Sequence, residues 1–141
     1  MQRLRLSIAV IALGLLAACA TNQRSEDLTN TLNAYHSTLR WGDFQHALNF
    51  VDPAWREAHP LTPLQLARYK QVRVVGYDEG QGPVPASDTE VRQTVKIGLV
   101  NRHTMQQRYI IDHQDWRWDD QAKRWWLTTG LPDITREPSG P

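Results

Sequence analysis

Cysteine is almost missing from this chain: 141 residues carry one thiol, Cys19. A lone thiol closes no internal disulfide, so the fold is not a disulfide scaffold and must stand on its apolar core. A surplus of either charge is also missing, because 16 Lys and Arg face 15 Asp and Glu for a net charge of +1. That balance lacks the strongly basic face that nucleic acid requires, and no nucleic-acid partner is expected. With 8 glycines, 8 prolines and 22% charged residues, the composition excludes collagen-like and wholly disordered classes. The segment Gly80-Gln81-Gly82-Pro83 is followed by neither Lys-Ser nor a helix, which excludes a phosphate loop. Five histidines, His36, His46, His59, His103 and His113, show no HExxH spacing and have no cysteine partners, so neither a metal nor a cofactor is expected. A spanning helix needs about 20 predominantly apolar residues, and residues 6–16 fall short of that. At roughly 100 to 200 residues per domain, the length corresponds to one core.

What is present begins with an address. Arg3 and Arg5 precede the apolar run of residues 6–16, which has the length of a secretory h-region. The two arginines are not adjacent, so the export route expected is the general one that carries unfolded chains. Next comes Leu16-Ala17-Ala18-Cys19, which resembles the lipobox of bacterial lipoproteins. The resemblance implies cleavage between Ala18 and Cys19, lipidation of the Cys19 thiol and a membrane partner reached through that lipid anchor. Ala20 stands where an aspartate would resemble an inner-membrane retention signal, so the implied location is the outer membrane, facing the periplasm. Removing residues 1–18 takes away Arg3 and Arg5 and leaves a net charge of about −1. Residues 19–24 then read as the lipidated cysteine and a short extended tether, holding the domain within about 20 Å of the lipid at ~3.5 Å per residue.

The domain itself is expected over residues 25–132, with a flexible tail over 133–141. Ser25-Glu26-Asp27 reads as a helix start, with a capping hydroxyl and two acids at the positive end of the dipole. Leu28, Leu32, Tyr35 and Leu39 follow as one stripe of 3.6-residue period. Gly42-Asp43 stops that helix and caps a second one carrying Phe44, Ala47, Leu48 and Val51. Asp52-Pro53 and Thr62-Pro63 each start a shorter helical piece. From Val72 the pattern becomes extended: strands over residues 72–77, 91–99, 105–118 and 124–129, joined by Gly- or Asp-rich turns. Met105, Tyr109 and Ile111 share a parity opposite to Trp116 and Trp118, which predicts a bulge between Ile111 and Trp116.

Helices followed by an antiparallel meander predict an α+β fold with the N-terminal helices packed on a curved antiparallel sheet. This pattern, with the Gly42-Asp43 bend and the final hairpin from Trp118-Asp119-Asp120 to Trp125-Trp126-Leu127, resembles the NTF2-like, or SnoaL-like, cone fold. Many members of that family have strands between the second and third helices, where this chain has only residues 52–63. The concave pocket is therefore expected to be smaller or more open, or the sheet closer to a reduced cystatin-like one.

The resemblance spans cone-shaped enzymes, which set a carboxylate beside a hydroxyl inside the cone, and modules that only bind. Tyr35, Asp112 and His113 are the pocket candidates for an isomerase- or dehydratase-like role; no spacing singles them out as catalytic. Six tryptophans are more than a small core needs, and Trp116, Trp118, Trp125 and Trp126 crowd one hairpin. Cross-strand pairing inside the sheet accounts for them at about 0.2–1 kcal/mol per pair. Alternatively, the outward members join Trp41 and Trp55 in an aromatic surface for a glycan, a lipid or an envelope protein. Arg117, Lys123 and Arg124 flank the rings as stacking or anion-meeting groups. The expected function is a lipid-anchored envelope protein with a non-catalytic binding module. A small cone-fold enzyme and a structural subunit of an envelope complex are the alternatives.

Overall fold

The computed structural model describes residues 2–136, with side chains from residue 20 onward. Ala18 and Cys19, which frame the expected cleavage and lipidation, therefore have side chains outside the described residues. Helix α1, Gln2–Trp41, is one unbroken run of 40 residues, about 60 Å at 1.5 Å per residue. No glycine or proline interrupts residues 15–41, so nothing restarts the helix at Ser25. The Ser25 carbonyl accepts from Thr29 Oγ1 at 3.1 Å, as in a helix interior, which corrects the expected start there. The expected tether is corrected with it: residues 20–24 are helical, and Arg24 is docked. Its carbonyl accepts from Trp125 Nε1 at 3.1 Å, its guanidinium donates to the Asp88 carbonyl at 3.3 Å, and it lies 5.9 Å from the Trp118 ring.

The bend at Gly42-Asp43 forms as the sequence requires. Gly42 N–H closes the last turn on the Thr38 carbonyl at 2.9 Å, and Asp43 Oδ1 accepts from His46 N–H at 2.7 Å to start α2, Phe44–Ala47. A single 3-10 turn, Leu48–Phe50, completes the second helical piece. Asp52 caps α3, Pro53–Ala58, and Thr62 with Gln65 forms a reciprocal capping box at the start of α4, Pro63–Lys70.

Strands β1, Val72–Asp78, β2, Val84–Pro85, β3, Glu90–Asn101, β4, Gln107–Asp119, and β5, Arg124–Leu127, form one antiparallel sheet. Its order is β1-β3-β4-β5, with β2 extending the β1 edge of β3. The sheet curls around the helices as a half-barrel, so the architecture is α+β and cone-like. The apolar stripe of α1, Leu32, Tyr35 and Leu39, is buried against the concave face with Val74, Val95, Ile97, Ile110 and Leu127. Pairing of β3 with β4 keeps one register from Glu90↔Arg117 to Val100↔Gln107, so the bulge expected between Ile111 and Trp116 is absent. Tyr109 and Ile111 simply face outward, and Lys96 Nζ lies 4.3 Å from the Tyr109 ring centre to shield it. The register shift falls in β1 instead, between Val74 and Gly76.

Order continues past the expected domain end. Leu131, Pro132 and Ile134 are buried, the Tyr69 hydroxyl donates to the Pro132 carbonyl at 3.0 Å, and Arg108 donates to the Ile134 carbonyl. The expected tail over 133–141 is thus part of the packed domain as far as Ile134, and residues 137–141 lie outside the described residues.

Candidate functional site

Strand alternation decides which candidates meet. Odd residues of β3 and even residues of β4 line the concave face, so Gln93 stands opposite Gln114 and Val95 opposite Asp112. Tyr35 enters the same space from α1. It is 0% exposed, with its ring edge-on to Trp116 at 5.2 Å and to Phe50 at 5.5 Å. Gln114 is the hub of the polar groups there. Its Nε2 donates to Asp112 Oδ2 at 2.7 Å and to the Tyr77 hydroxyl at 3.1 Å, while its Oε1 accepts from Trp116 Nε1 at 3.2 Å. His36 stacks on Tyr77 at 4.3 Å and reaches Glu79 at 3.6 Å.

Burial sets the electrostatics of this cluster. Removal from water pushes the Asp112 carboxyl up to about 6, against smaller downward pulls from the Gln114 hydrogen bond, His113 and Arg136. The Tyr35 hydroxyl is held well above its ordinary value by burial first and by the Asp112 charge second. Tyr77 is raised for the same leading reason, countered by its bond from Gln114. Among the described residues, the Tyr35 hydroxyl and both amide atoms of Gln93 are buried without a protein hydrogen-bond partner. The cone thus sets a carboxyl that titrates near neutrality beside hydroxyls that stay protonated, an arrangement able to take up and return a proton.

Of the three pocket candidates, the structure brings Tyr35 and Asp112 together and sends His113 away. His113 is on the outer face, its Nδ1 3.1 Å from Thr94 Oγ1, because it follows Asp112 directly in an unbulged strand. Gln93 and Gln114 were not singled out by sequence. Their signal was there: each is a polar residue at the parity of buried neighbours, Val91 and Val95 for one, Trp116 and Trp118 for the other.

The aromatic surface needs a larger correction. Trp116, Trp118 and Trp125 are buried, with Trp118 and Trp125 5.7 Å apart, and so form core rather than a docking face. Only Trp126 of that hairpin turns outward, where Arg124 lies 3.8 Å from its ring and its Nε1 donates to Asp119 Oδ2 at 3.2 Å. Trp55 stacks on His59 at 4.3 Å and lies over Gly130, leaving Trp41 as the fully displayed ring at 82% exposure. Of the flanking cations, Arg117 binds the Asp52 carboxylate and Lys123 meets Asp120 at 3.0 Å.

A cavity of about 290 Å³ opens away from the polar cluster, between the α1–α2 bend, α4 and β1. Leu39, Phe44, Leu61, Leu66, Val72 and Val74 floor it, with Tyr69 stacked on Phe44 at 4.5 Å, and Lys70, Arg73 and Arg102 stand on its rim. Among the described residues, no group of three His, Cys, Asp or Glu is placed to hold a metal ion, and no helix is long and apolar enough to cross a membrane. Comparison with family models, curated proteins and solved structures returns no match to this chain.

Proposed function

We propose that this chain is a bacterial lipoprotein whose NTF2-like domain serves as a non-catalytic binding module at the periplasmic face of the outer membrane. The observation that carries the reading is Leu16-Ala17-Ala18-Cys19, with the chain's single thiol placed at the end of a secretory-length apolar run. Binding rather than turnover is supported by how the cone is occupied. Trp116, Tyr35 and Phe50 pack edge to face inside it, and Asp112 Oδ2 already accepts from Gln114. Acyl chains at ~0.8 kcal/mol per buried methylene would hold such a protein firmly on the bilayer. Because Arg24 is docked on the tryptophan hairpin, an anchored domain presents the hairpin end to the lipid and the opposite end, with the β3–β4 turn and α4, to the periplasm.

A small cone-fold enzyme is the second reading, favoured by the shared environment of Asp112 and Tyr35. The anchor is tested by intact mass and membrane fractionation of the wild-type protein and a Cys19→Ala variant, each produced with its leader in a two-membrane bacterium. The expected result is a wild-type form that begins at Cys19, carries acyl mass and sediments with outer membrane, while the variant does not. A soluble periplasmic wild type with an unmodified thiol would overturn the lipoprotein reading.

A further inference from the structure

We infer that the cavity between the α1–α2 bend, α4 and β1 is a binding site for a small apolar anion, a carboxylate or phosphate on an alkyl or aryl body of about ten heavy atoms. The size follows from the volume: about 290 Å³, at roughly 30 Å³ per water-sized group, admits about ten of them. The apolar body follows from the floor, where Leu39, Phe44 and Val74 are buried and contribute no polar group. The charge follows from the rim. Lys70, Arg73 and Arg102 all line the mouth, and Lys70 and Arg73 have no ion partner among the described residues. Arg102 commits only its Nε, to the Val72 carbonyl at 3.3 Å, which fixes its guanidinium in place and leaves its remaining donors for a ligand. The one carboxylate in the lining, Asp43, accepts from His46 N–H at 2.7 Å and sets a single negative charge against the three cations. An anionic head held by these cations above an apolar chain satisfies both halves of the site.

The ligand source is the aqueous phase and not the anchoring bilayer. This part of the inference rests on the lipoprotein reading. Residues 20 and 39 are about 29 Å apart along α1 at 1.5 Å per residue, so an anchor at residue 19 and the cavity beside Leu39 lie at opposite ends of the packed helix.

The test uses octanoate, with octanol as its uncharged counterpart, titrated into the ¹⁵N-labelled Cys19→Ala chain and followed by amide chemical shifts. Octanoate is expected to move amides of α4, β1 and the α1–α2 bend and to bind at least tenfold more tightly than octanol. Added salt should weaken only octanoate. The exposed pair Lys70→Gln and Arg73→Gln should weaken octanoate at least tenfold and leave octanol unchanged, and Leu66→Trp should block both by filling the space. Equal affinity for the two probes, shifts that map elsewhere, or no binding would overturn the site. Phosphatidylglycerol vesicles supply the other arm: recruitment of the Cys19→Ala chain that the Lys70/Arg73 pair abolishes would make the source a lipid surface and overturn the aqueous assignment. Octanoate binding in a protein whose wild type carries no acyl mass would leave this site standing while removing the anchor, so the two failures are separable.

Discussion

Asp112 is the residue whose chemistry departs furthest from its sequence setting. It follows Ile111 and precedes His113 at the parity of Trp116 and Trp118, and the unbroken register with β3 turns it into the cone. Its carboxyl, raised from 3.8 to about 6 by burial, binds its proton more tightly folded than unfolded. The stability this gives is complete below about pH 4 and is lost as pH rises through about 6, a cost of about 3 kcal/mol at 1.36 kcal/mol per tenfold change in proton affinity. In Asp112→Asn an amide oxygen accepts from Gln114 in place of the carboxylate and nothing there ionises. Urea midpoints measured from pH 4 to pH 8 should fall for the wild type and lack this component in the variant; parallel curves would place Asp112 in contact with water. Gln114 shows the same interior from the other side, with both of its amide hydrogens and its oxygen used.

At the scale of elements, much of the order was legible. Caps at Asp43, Asp52 and Thr62 mark three helix starts because short oxygen-bearing side chains satisfy free N–H groups locally, which needs no tertiary information. The continuity of α1 through Ser25 was not legible, because a capping residue inside an uninterrupted helix reads like a start. The parity of β4 was misread for a comparable reason: Tyr109 and Ile111 are apolar yet lie outside, and only the partner strand tells which parity faces in. The tryptophan hairpin shows how far alternation reaches. Adjacent rings must part, and Trp125 goes to the core while Trp126 goes out, but that Trp116 and Trp118 lie with Trp125 depends on the register of β4 with β5. Trp116→Ala should therefore cost about 3–5 kcal/mol by leaving a cavity and an orphaned Gln114 oxygen. Trp126→Ala, which removes an outward ring, should cost less than about 1 kcal/mol. Chemical denaturation of the two variants checks the contrast, and similar losses would refute the assignment of faces.

For the whole molecule, the notable feature is where closure occurs. The last strand meets the middle of the chain, since Leu127 bridges Val51 and its carbonyl accepts from Asp52 N–H at 2.8 Å. After it, Gly130 takes a left-handed turn at φ +78°, where a Cβ would stand 2.2 Å from the Trp55 ring, and Leu131 and Ile134 enter the core. A chain ending at Thr129 loses two buried aliphatic side chains, about 3–6 kcal/mol by area, together with the partners of Tyr69 and Arg108. Set against a typical total of about 5–15 kcal/mol, that truncation should remove a large share of the stability, read as a much lower urea midpoint. An unchanged midpoint would mean that the segment only decorates a finished core.

The same closure has a meaning in time. A chain that emerges from its N-terminus can wind α1 early, but the core lacks Leu131 and Ile134 until the stretch after β5 is free to seat. Until then its long-range pairings have little to hold them. For a protein proposed to cross a membrane as a thread, the delay is useful: the domain stays open throughout its passage and sets only when the last stretch arrives on the far side.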